Sequence, residues 1–433
     1  MSKDRLRVLL IAQIANPEWI SVPLVGWSQT RAIANIADAH IITELPNREV
    51  FQRAGCVEGE YFTIIDTEPV RQPIEKLISL LRGGEGKGWT TAMAFSVFPY
   101  YYFERQVWRK FGKRIANQEF DIVHRVTPLS PTIPSILGGK CRQVGVPFIV
   151  GPLNGGLPWP KAFDTVRRQE KEWLSYVRDV YKLFPGYRST RRDAAAILVG
   201  SRNTWEQMPE QYRAKSVYIP ENAIDPQRYS LRSGVPQTPV KVAFVGRLVP
   251  YKGADMLLEA AAPLIRDRLL TVEIIGDGPD MPRLQSLIAE EQLADGVKLA
   301  GWLEHAQVQE RLAQADIFGF PSIREFGGAV VIEAMAMGVV PIVVDYGGPG
   351  EFVTPDTGYT VPIAPRTEIV RRFREILTDL ANNPSAIAPL GQRARDRALN
   401  LFTWDKKAQQ TLEVYKWVLG QRPDKPDFGM PFF

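Results

Sequence analysis

The block from Ile317 to Gly350, IFGFPSIREFGGAVVIEAMAMGVVPIVVDYGGPG, constrains this chain more than any other stretch. The apolar run Ile317 to Phe320 reads as a buried strand that stops at Pro321-Ser322. Gly327 and Gly328 follow, and then Ala329 to Met337, rich in helix formers and free of breakers. Gly338 is placed to end that helix. Val339 to Val344 is a second buried strand, and Gly347 to Gly350 is the loop after it. Strand, loop, helix and strand in this order belong to an α/β architecture.

Such a block offers a seat for an anion. Glycines ahead of a helix let backbone N–H groups approach a ligand closely, and the helix N-terminus favours negative charge. A phosphate or diphosphate fits there. Glu325 in the loop and Glu333 on the helix are charge-assisted acceptors for hydroxyl groups, one for a sugar and the other for a ribose. The plain alternative is a capped helix with one solvated glutamate.

Bulk properties leave this reading open. The 433 residues suffice for two or three domains, and 45% hydrophobic with 23% charged residues is ordinary for a soluble enzyme. Cys56 and Cys141 make neither a disulfide framework nor a metal cluster, so a reducing cytosol is expected. MSKDRLRVLLIAQIA reads as a first strand rather than a signal peptide, and no stretch is long and apolar enough for a membrane span. The net charge is +5, with the basic excess in the first half at Arg105 to Arg114 and Arg167 to Arg192. Solvated helix faces explain most of it. A membrane-surface or anionic-acceptor patch is the sharper alternative, and no nucleic-acid motif accompanies it.

The strand-and-helix rhythm runs through the chain. Arg7 to Ala12 is the first strand; residues 13–28 read as a loop containing Gly26, with an amphipathic helix from Gln29 to Ala37. Residues 83–92 are glycine-rich, without the ending of a phosphate loop. Phe120 to His124 reads as a strand ending in a histidine, where doubly wound sheets place catalytic groups; a satisfied structural histidine is the alternative. Pro147 to Pro152 is a strand, followed by a proline-bounded loop through Asn154-Gly155-Gly156. After the strand Val242 to Val245 comes Gly246-Arg247-Leu248-Val249-Pro250-Tyr251-Lys252-Gly253. Arg247 can fork onto phosphate oxygens and Lys252 supplies a point charge. Val272 to Gly278 is a strand with a glycine turn, and Val297 to Gly301 a strand leading to Trp302. His305 reads as a surface histidine. Helices are expected near 367–382, 384–400 and 403–419.

In order, these motifs resemble those of the retaining GT-B glycosyltransferases of glycosyltransferase family 4. Glu325 to Glu333 resembles the E-x7-E motif, and Gly246 to Gly253 the G-R-x(3–4)-K-G diphosphate clamp. The resemblance implies two Rossmann-like doubly wound domains facing a central cleft. Residues 1–228 would bind the acceptor and 229–402 the nucleotide sugar, with 403–433 a helix crossing back plus a tail. It implies donor contacts at Gly26, Gly246, Gly276, Gly278, Trp302, Phe326, Gly327, Gly328, Val330 and Glu333. It implies catalytic roles for Arg247, Lys252, Glu325 and His124, although Val126 stands where the family often has a second histidine.

The expected reaction is retaining transfer of a sugar from a nucleoside-diphosphate sugar (a UDP- or GDP-sugar) to an acceptor hydroxyl, a hexosyltransferase activity. No D-x-D motif is present, so no metal and no further cofactor is expected. The expected acceptor is a glycan or lipid-linked glycan in envelope polysaccharide or glycolipid synthesis. The expected place is the cytoplasm, with peripheral contact at the inner membrane face through the basic first domain. A sugar phosphorylase or epimerase of the same fold, or a non-catalytic partner subunit, are the rival readings.

Overall fold

The computed structural model describes residues 5–74, 97–164, 167, 186–229, 236 and 238–429. The glycine-rich stretch 83–92, most of the basic run 167–192 and most of the linker 231–240 lie outside the described residues. Contacts divide the chain into two units: Met1–Gly156, Leu174–Glu221 and Trp404–Phe433, and Leu157–Trp173 with Asn222–Thr403.

The first unit holds seven strands: β1 (Arg7–Ala12), β2 (Asp38–Glu44), β3 (Phe62–Ile65), β4 (Ile122–Thr127), β5 (Phe148–Leu153), β6 (Ala196–Val199) and β7 (Ser216–Tyr218). Their order is β3-β2-β1-β4-β5-β6-β7, and every pairing is parallel. A parallel sheet covered on both faces needs continuous apolar strands. Val8, Leu10, Ile122, Val126, Ile149 and Leu198 meet this need in one buried core. The helix Trp404–Val418 adds Ala408, Val414 and Tyr415 to that core and packs on the helix Val22–Ile36.

Two expectations for this unit change. The helix begins at Val22 rather than Gln29, so Gly26 lies inside it instead of in a loop. Pro23 is tolerated because it occupies the first turn, where its missing N–H would have no helical partner. A Cβ on Gly26 would stand 2.2 Å from the Ile14 carbonyl oxygen, so this glycine lets the helix press against the segment after β1. Strand β4 also runs on to Thr127, which places His124 within the strand rather than at its end.

The second unit holds β8 (Val240–Val245), β9 (Leu270–Ile275), β10 (Val297–Gly301), β11 (Ile317–Phe320), β12 (Val340–Asp345) and β13 (Tyr359–Pro362). The order is β10-β9-β8-β11-β12-β13, again parallel throughout. The helix Ala254–Arg266 packs Leu257 so close to β11 that a Cβ on Gly319 would stand 2.7 Å from Leu257 Cδ1. Each such fully buried leucine contributes about 1.5–3 kcal/mol by removing apolar surface from water. The expected loop at Gly347 to Gly350 is instead the entry to a short helix, Gly348–Phe352. Its glycines reflect crowding, because a Cβ on Gly348 would lie 2.6 Å from the Phe326 carbonyl oxygen. Both units are thus Rossmann-like α/β sheets, the class expected from the sequence.

Candidate functional site

In the second unit the strand order reverses beside β8: the chain leaves β8 toward β9 on one side, and β11 leads to β12 on the other. Loops leaving two such neighbours part, and the crevice beyond their carboxyl ends is the usual ligand position in a doubly wound sheet. The two loops here are residues 246–253 after β8 and 321–328 after β11.

Backbone bonds fix the first loop. Gly246 N–H donates to the Ile275 carbonyl at 3.0 Å, and Leu248 N–H to that of Asp277 at 2.9 Å. A Cβ on Gly276 would stand 1.9 Å from the Gly246 carbonyl oxygen, and one on Gly278 2.2 Å from that of Leu248. The crowding of these two glycines comes from the neighbouring loop, with no ligand needed to explain it.

The two loops are then tied to each other. The Tyr251 carbonyl accepts from Ile323 N–H at 2.9 Å and from the Ser322 hydroxyl at 3.3 Å. This brings the Lys252 ammonium into an ion pair with the Glu325 carboxylate, the side chains being 17% and 20% exposed. Lys252 Nζ also lies 5.4 Å from the centre of the Phe320 ring. Burial pushes the lysine down to about 8. Arg247 is exposed and makes no ion pair among the described residues.

Beyond Glu325 the chain enters the helix Ala329–Ala336 through Gly328, whose φ of 60° is left-handed and open to glycine. The first N–H groups of a helix have no carbonyl one turn back, and they carry the positive end of its dipole. Gly327, Gly328 and Val330 lie at this helix entry, just after Glu325 in the chain. One turn along, the half-buried Glu333 stands near His305, which the sequence presented as a surface histidine. Burial raises the Tyr229 phenol above its ordinary range, and the nearby Glu333 charge raises it further. His305 Nε2 is 3.8 Å from Glu333 Oε1, and the Gln309 amide is 3.0 Å from His305 Nδ1. The i, i+4 spacing of His305 and Gln309 was the available signal. Trp302, at the end of β10, is 68% exposed.

A further contributor went unread in the sequence. Leu157–Phe163, expected in the first domain as part of a proline-bounded loop and its basic continuation, groups with the second unit. Trp159 sets its ring edge-on to Tyr251 at 5.9 Å and lies 4.8 Å from the Arg324 guanidinium, which also faces Phe326 at 5.3 Å. The Tyr346 hydroxyl donates to the Pro158 carbonyl at 2.8 Å.

The first unit holds the other two candidates, and both are occupied in packing. His124 is fully buried. Its Nε2 lies 2.7 Å from the Gly151 carbonyl, to which it donates, and its Nδ1 accepts from the Tyr415 hydroxyl at 2.6 Å. Burial lowers the imidazole to about 4. It is a neutral brace between β4, β5 and the last helix, with no ring nitrogen left for a substrate, which corrects the catalytic expectation. Gly26 serves helix packing, as described above. The basic residues Arg105, Arg109, Lys110, Lys113 and Arg114 form an exposed side of the helix Val97–Ala116.

Among the described residues no group of three His, Cys, Asp or Glu side chains is placed to hold a metal ion. Among them, too, no helix is long and apolar enough to cross a membrane.

Comparison with known proteins adds to this geometry. The family model described as glycosyl transferases group 1 matches residues 227–394. The chain is 28% identical over 294 residues to a GDP-mannose-dependent monoacylated alpha-(1-6)-phosphatidylinositol monomannoside mannosyltransferase of Corynebacterium glutamicum, a match covering 65% of this chain and 73% of that protein. It is 30% identical over 210 residues to a D-inositol 3-phosphate glycosyltransferase of Kineococcus radiotolerans, covering 44% and 47%. The chain thus spans about half the length of several curated relatives. Among solved structures, a glycosyltransferase from Rickettsia africae superposes with a TM-score of 0.60 at 16% identity, covering 97% of this chain and all of that one. Anabaena Alr3699/HepE in complex with UDP also gives 0.60, at 15% identity, covering 96% and 100%. At such identities the likeness shows the fold, which is that of the GT-B glycosyltransferases.

Proposed function

From the match of residues 227–394 to the glycosyl transferases group 1 family model, we propose that this chain transfers a hexosyl group from a UDP- or GDP-sugar to an acceptor hydroxyl with retention at the anomeric carbon. The observation that carries the reading is the Lys252–Glu325 pair beside the exposed Arg247 and the entry of the helix Ala329–Ala336. Two cations and a helix N-terminus form a seat for a diphosphate. The acceptor Glu325 lies at one end and the acceptor Glu333 at the other.

In the proposed reaction the bond from the anomeric carbon to the diphosphate oxygen breaks, and negative charge grows on the leaving group. Lys252, Arg247 and the N–H groups of Gly327 and Gly328 meet that charge without reorganising, and fixed donors of this kind are worth about 3–4 kcal/mol each at a transition state. Glu325 orients the sugar hydroxyls, and Glu333 takes the ribose diol. The acceptor oxygen attacks from the face the diphosphate leaves, and its proton passes to the diphosphate. No protein nucleophile is required, and His124 is left out because both its nitrogens are engaged. We propose that the two cations do the work a metal would do, and that no further cofactor takes part.

The acceptor we propose is a glycan or glycolipid of the cell envelope. The C. glutamicum relative, named for a phosphatidylinositol monomannoside acceptor, supports this choice. We place the enzyme in the cytoplasm, with peripheral contact at the membrane through the basic helix Val97–Ala116.

A thermal-shift screen of UDP, GDP and ADP against wild type and Glu333→Ala tests the donor site. One nucleotide should raise the melting temperature of the wild type and not of the variant. No shift with any of the three would instead favour a phosphorylase or a non-catalytic subunit.

A further inference from the structure

We infer that Glu44, at the carboxyl end of β2 in the first unit, recognises the acceptor: its open carboxylate oxygen takes the two hydroxyls of a vicinal diol on a hexoside. This deepens the transfer reading given above and rests on it.

The sheet supplies the first reason. In the order β3-β2-β1-β4 the chain reverses beside β1, and ligands of doubly wound sheets lie over the carboxyl ends of the strands there. A carboxylate just past the second strand of such a sheet is placed to accept from a sugar diol. Glu44 is the last residue of β2 and aligns with Ile65 of β3. No G-x-G-x-x-G follows β1, so the pyrophosphate of a dinucleotide has no glycine turn to lie on. What remains of the pattern is a place for a sugar without one.

The side chain is built into that place. Glu44 is 7% exposed. Its Oε1 accepts from Gln13 Nε2 at 2.8 Å and from the Thr67 hydroxyl at 3.0 Å. Gln13 directly follows β1 and Thr67 lies two residues past β3, so three neighbouring strand ends converge on one oxygen. The Gln13 carbonyl in turn accepts from Glu44 N–H at 3.3 Å, from the Thr43 hydroxyl at 3.2 Å and from Asn47 Nδ2 at 3.2 Å. The carboxylate is therefore fixed in direction before a ligand arrives, which spares the ligand the cost of ordering it.

What this cluster lacks is donors. A carboxylate has room for about four hydrogen bonds, shared between its two oxygens. Among the described residues both side-chain donors go to Glu44 Oε1 and none goes to Oε2. Asn47, itself buried, also leaves its Oδ1 without a donor. Burial holds the Glu44 carboxyl above its ordinary range, against the pull of Gln13 and Thr67. The cation that acts on it, Arg71, is ion-paired with Glu68. A side chain that only tied these strand ends together would serve as well as a neutral amide, without the cost of burying a charge. A diol brings the missing donors, and hydrogen bonds to a carboxylate are among the strong ones.

Ligand-observed NMR on the full chain, loaded with the nucleoside diphosphate that stabilises it, tests the assignment. The probes are the methyl α-glycosides of mannose, glucose and galactose and their monodeoxy forms. Wild type should bind at least one of the three, and removing one hydroxyl of its diol should weaken binding about tenfold, the worth of one bond to a charged group. In Glu44→Gln, and in Glu44→Asp, which withdraws the carboxylate, the same hydroxyl should make less than about a twofold difference, with nucleotide affinity unchanged. A loosened fold would weaken the glycoside and its deoxy forms alike and keep the preference. A preference undiminished in both variants overturns the assignment while the transfer reading stands. A wild type that binds nucleotide but none of the three glycosides does the same. A wild type that binds no nucleotide overturns the transfer reading, and the acceptor role of Glu44 with it.

Discussion

Two polar pairs stand beside the strand-order reversals of the two sheets, and their fates differ. In the first unit His124 meets Tyr415 and Gly151, with no solvent exposure at the histidine. Its neighbours on β4 are equally committed: Arg125 Nη1 donates to the Ile133 carbonyl at 2.8 Å, and the Thr127 hydroxyl to that of Ile14 at 3.1 Å. In the second unit Lys252 and Glu325 pair with each other yet keep 17% and 20% of their side-chain surface open, beside an exposed Arg247. The difference follows from position along the strand. A polar group inside a buried strand must find protein partners, because none of its bonds can go to water. A group one loop beyond the strand end can leave part of its bonding capacity for a ligand.

The sharpest way to break this contrast is to remove the open pair. Glu325→Ala should lower kcat/KM by about 10²–10³, or roughly 3–4 kcal/mol of transition-state stabilisation. The ammonium of Lys252 is held down to about 8 by burial, so its charge in the free enzyme is lost as pH rises through that value. The pH profile of kcat/KM should therefore show a basic limb near 8. A bound diphosphate favours the charged ammonium, so the limb in kcat should move higher. Lys252→Arg keeps its charge at such pH and should remove the limb. A flat profile in wild type up to pH 9 would show that Lys252 carries no charge that the reaction uses.

The closed pair gives the opposite outcome. His124→Ala leaves the Tyr415 hydroxyl and the Gly151 carbonyl buried without a partner, at a cost of about 2–3 kcal/mol in denaturant unfolding. The folded fraction should keep the kcat of wild type. Acid should act through the same residue. The folded imidazole is lowered to about 4, while in the unfolded chain it stays near its ordinary 6.5. The unfolded state thus binds the proton first, and stability present above 6.5 declines as pH falls toward 4. His124→Ala should flatten that part of the stability profile. A large loss of kcat with unchanged stability would reverse the assignment.

The same contrast explains what could be read from the sequence. Apolar runs such as Ile317–Phe320 and 340–344 announce themselves, because strands buried on both faces admit few polar residues. Lys252, Glu325 and Glu333 were singled out by the resemblance of their motifs to glycosyltransferase family 4, and the structure pairs the first two. His124 misled because polarity inside a strand resembles a strand end until its partner Tyr415, far along the chain, is known. Gly26 and Gly348 misled similarly: a glycine required by a close neighbour reads as a loop glycine when the neighbour is unseen. Trp159 left no local trace of its role, since it reaches Tyr251 and Arg324 by tertiary packing.

Trp159 lets the comparison be sharpened at its weakest point, the support beneath the open pair. Its ring packs edge-on against Tyr251, and the Tyr251 carbonyl holds Ile323 and Ser322, so the ring steadies the junction that brings Lys252 to Glu325. Arg324, stacked on the same indole, steadies the chain immediately before Glu325. Aromatic and cation–π contacts of this kind are worth about 0.5–1.5 kcal/mol each beyond their burial. Trp159→Leu should therefore lower kcat about three- to tenfold, far less than Glu325→Ala, and leave nucleotide affinity nearly unchanged. The closed pair predicts no such intermediate effect, because its members bind no ligand. Steady-state kinetics decides the point: an unaltered kcat in Trp159→Leu would mean that the backbone bonds of Tyr251 suffice to hold the pair, and that the indole only covers it.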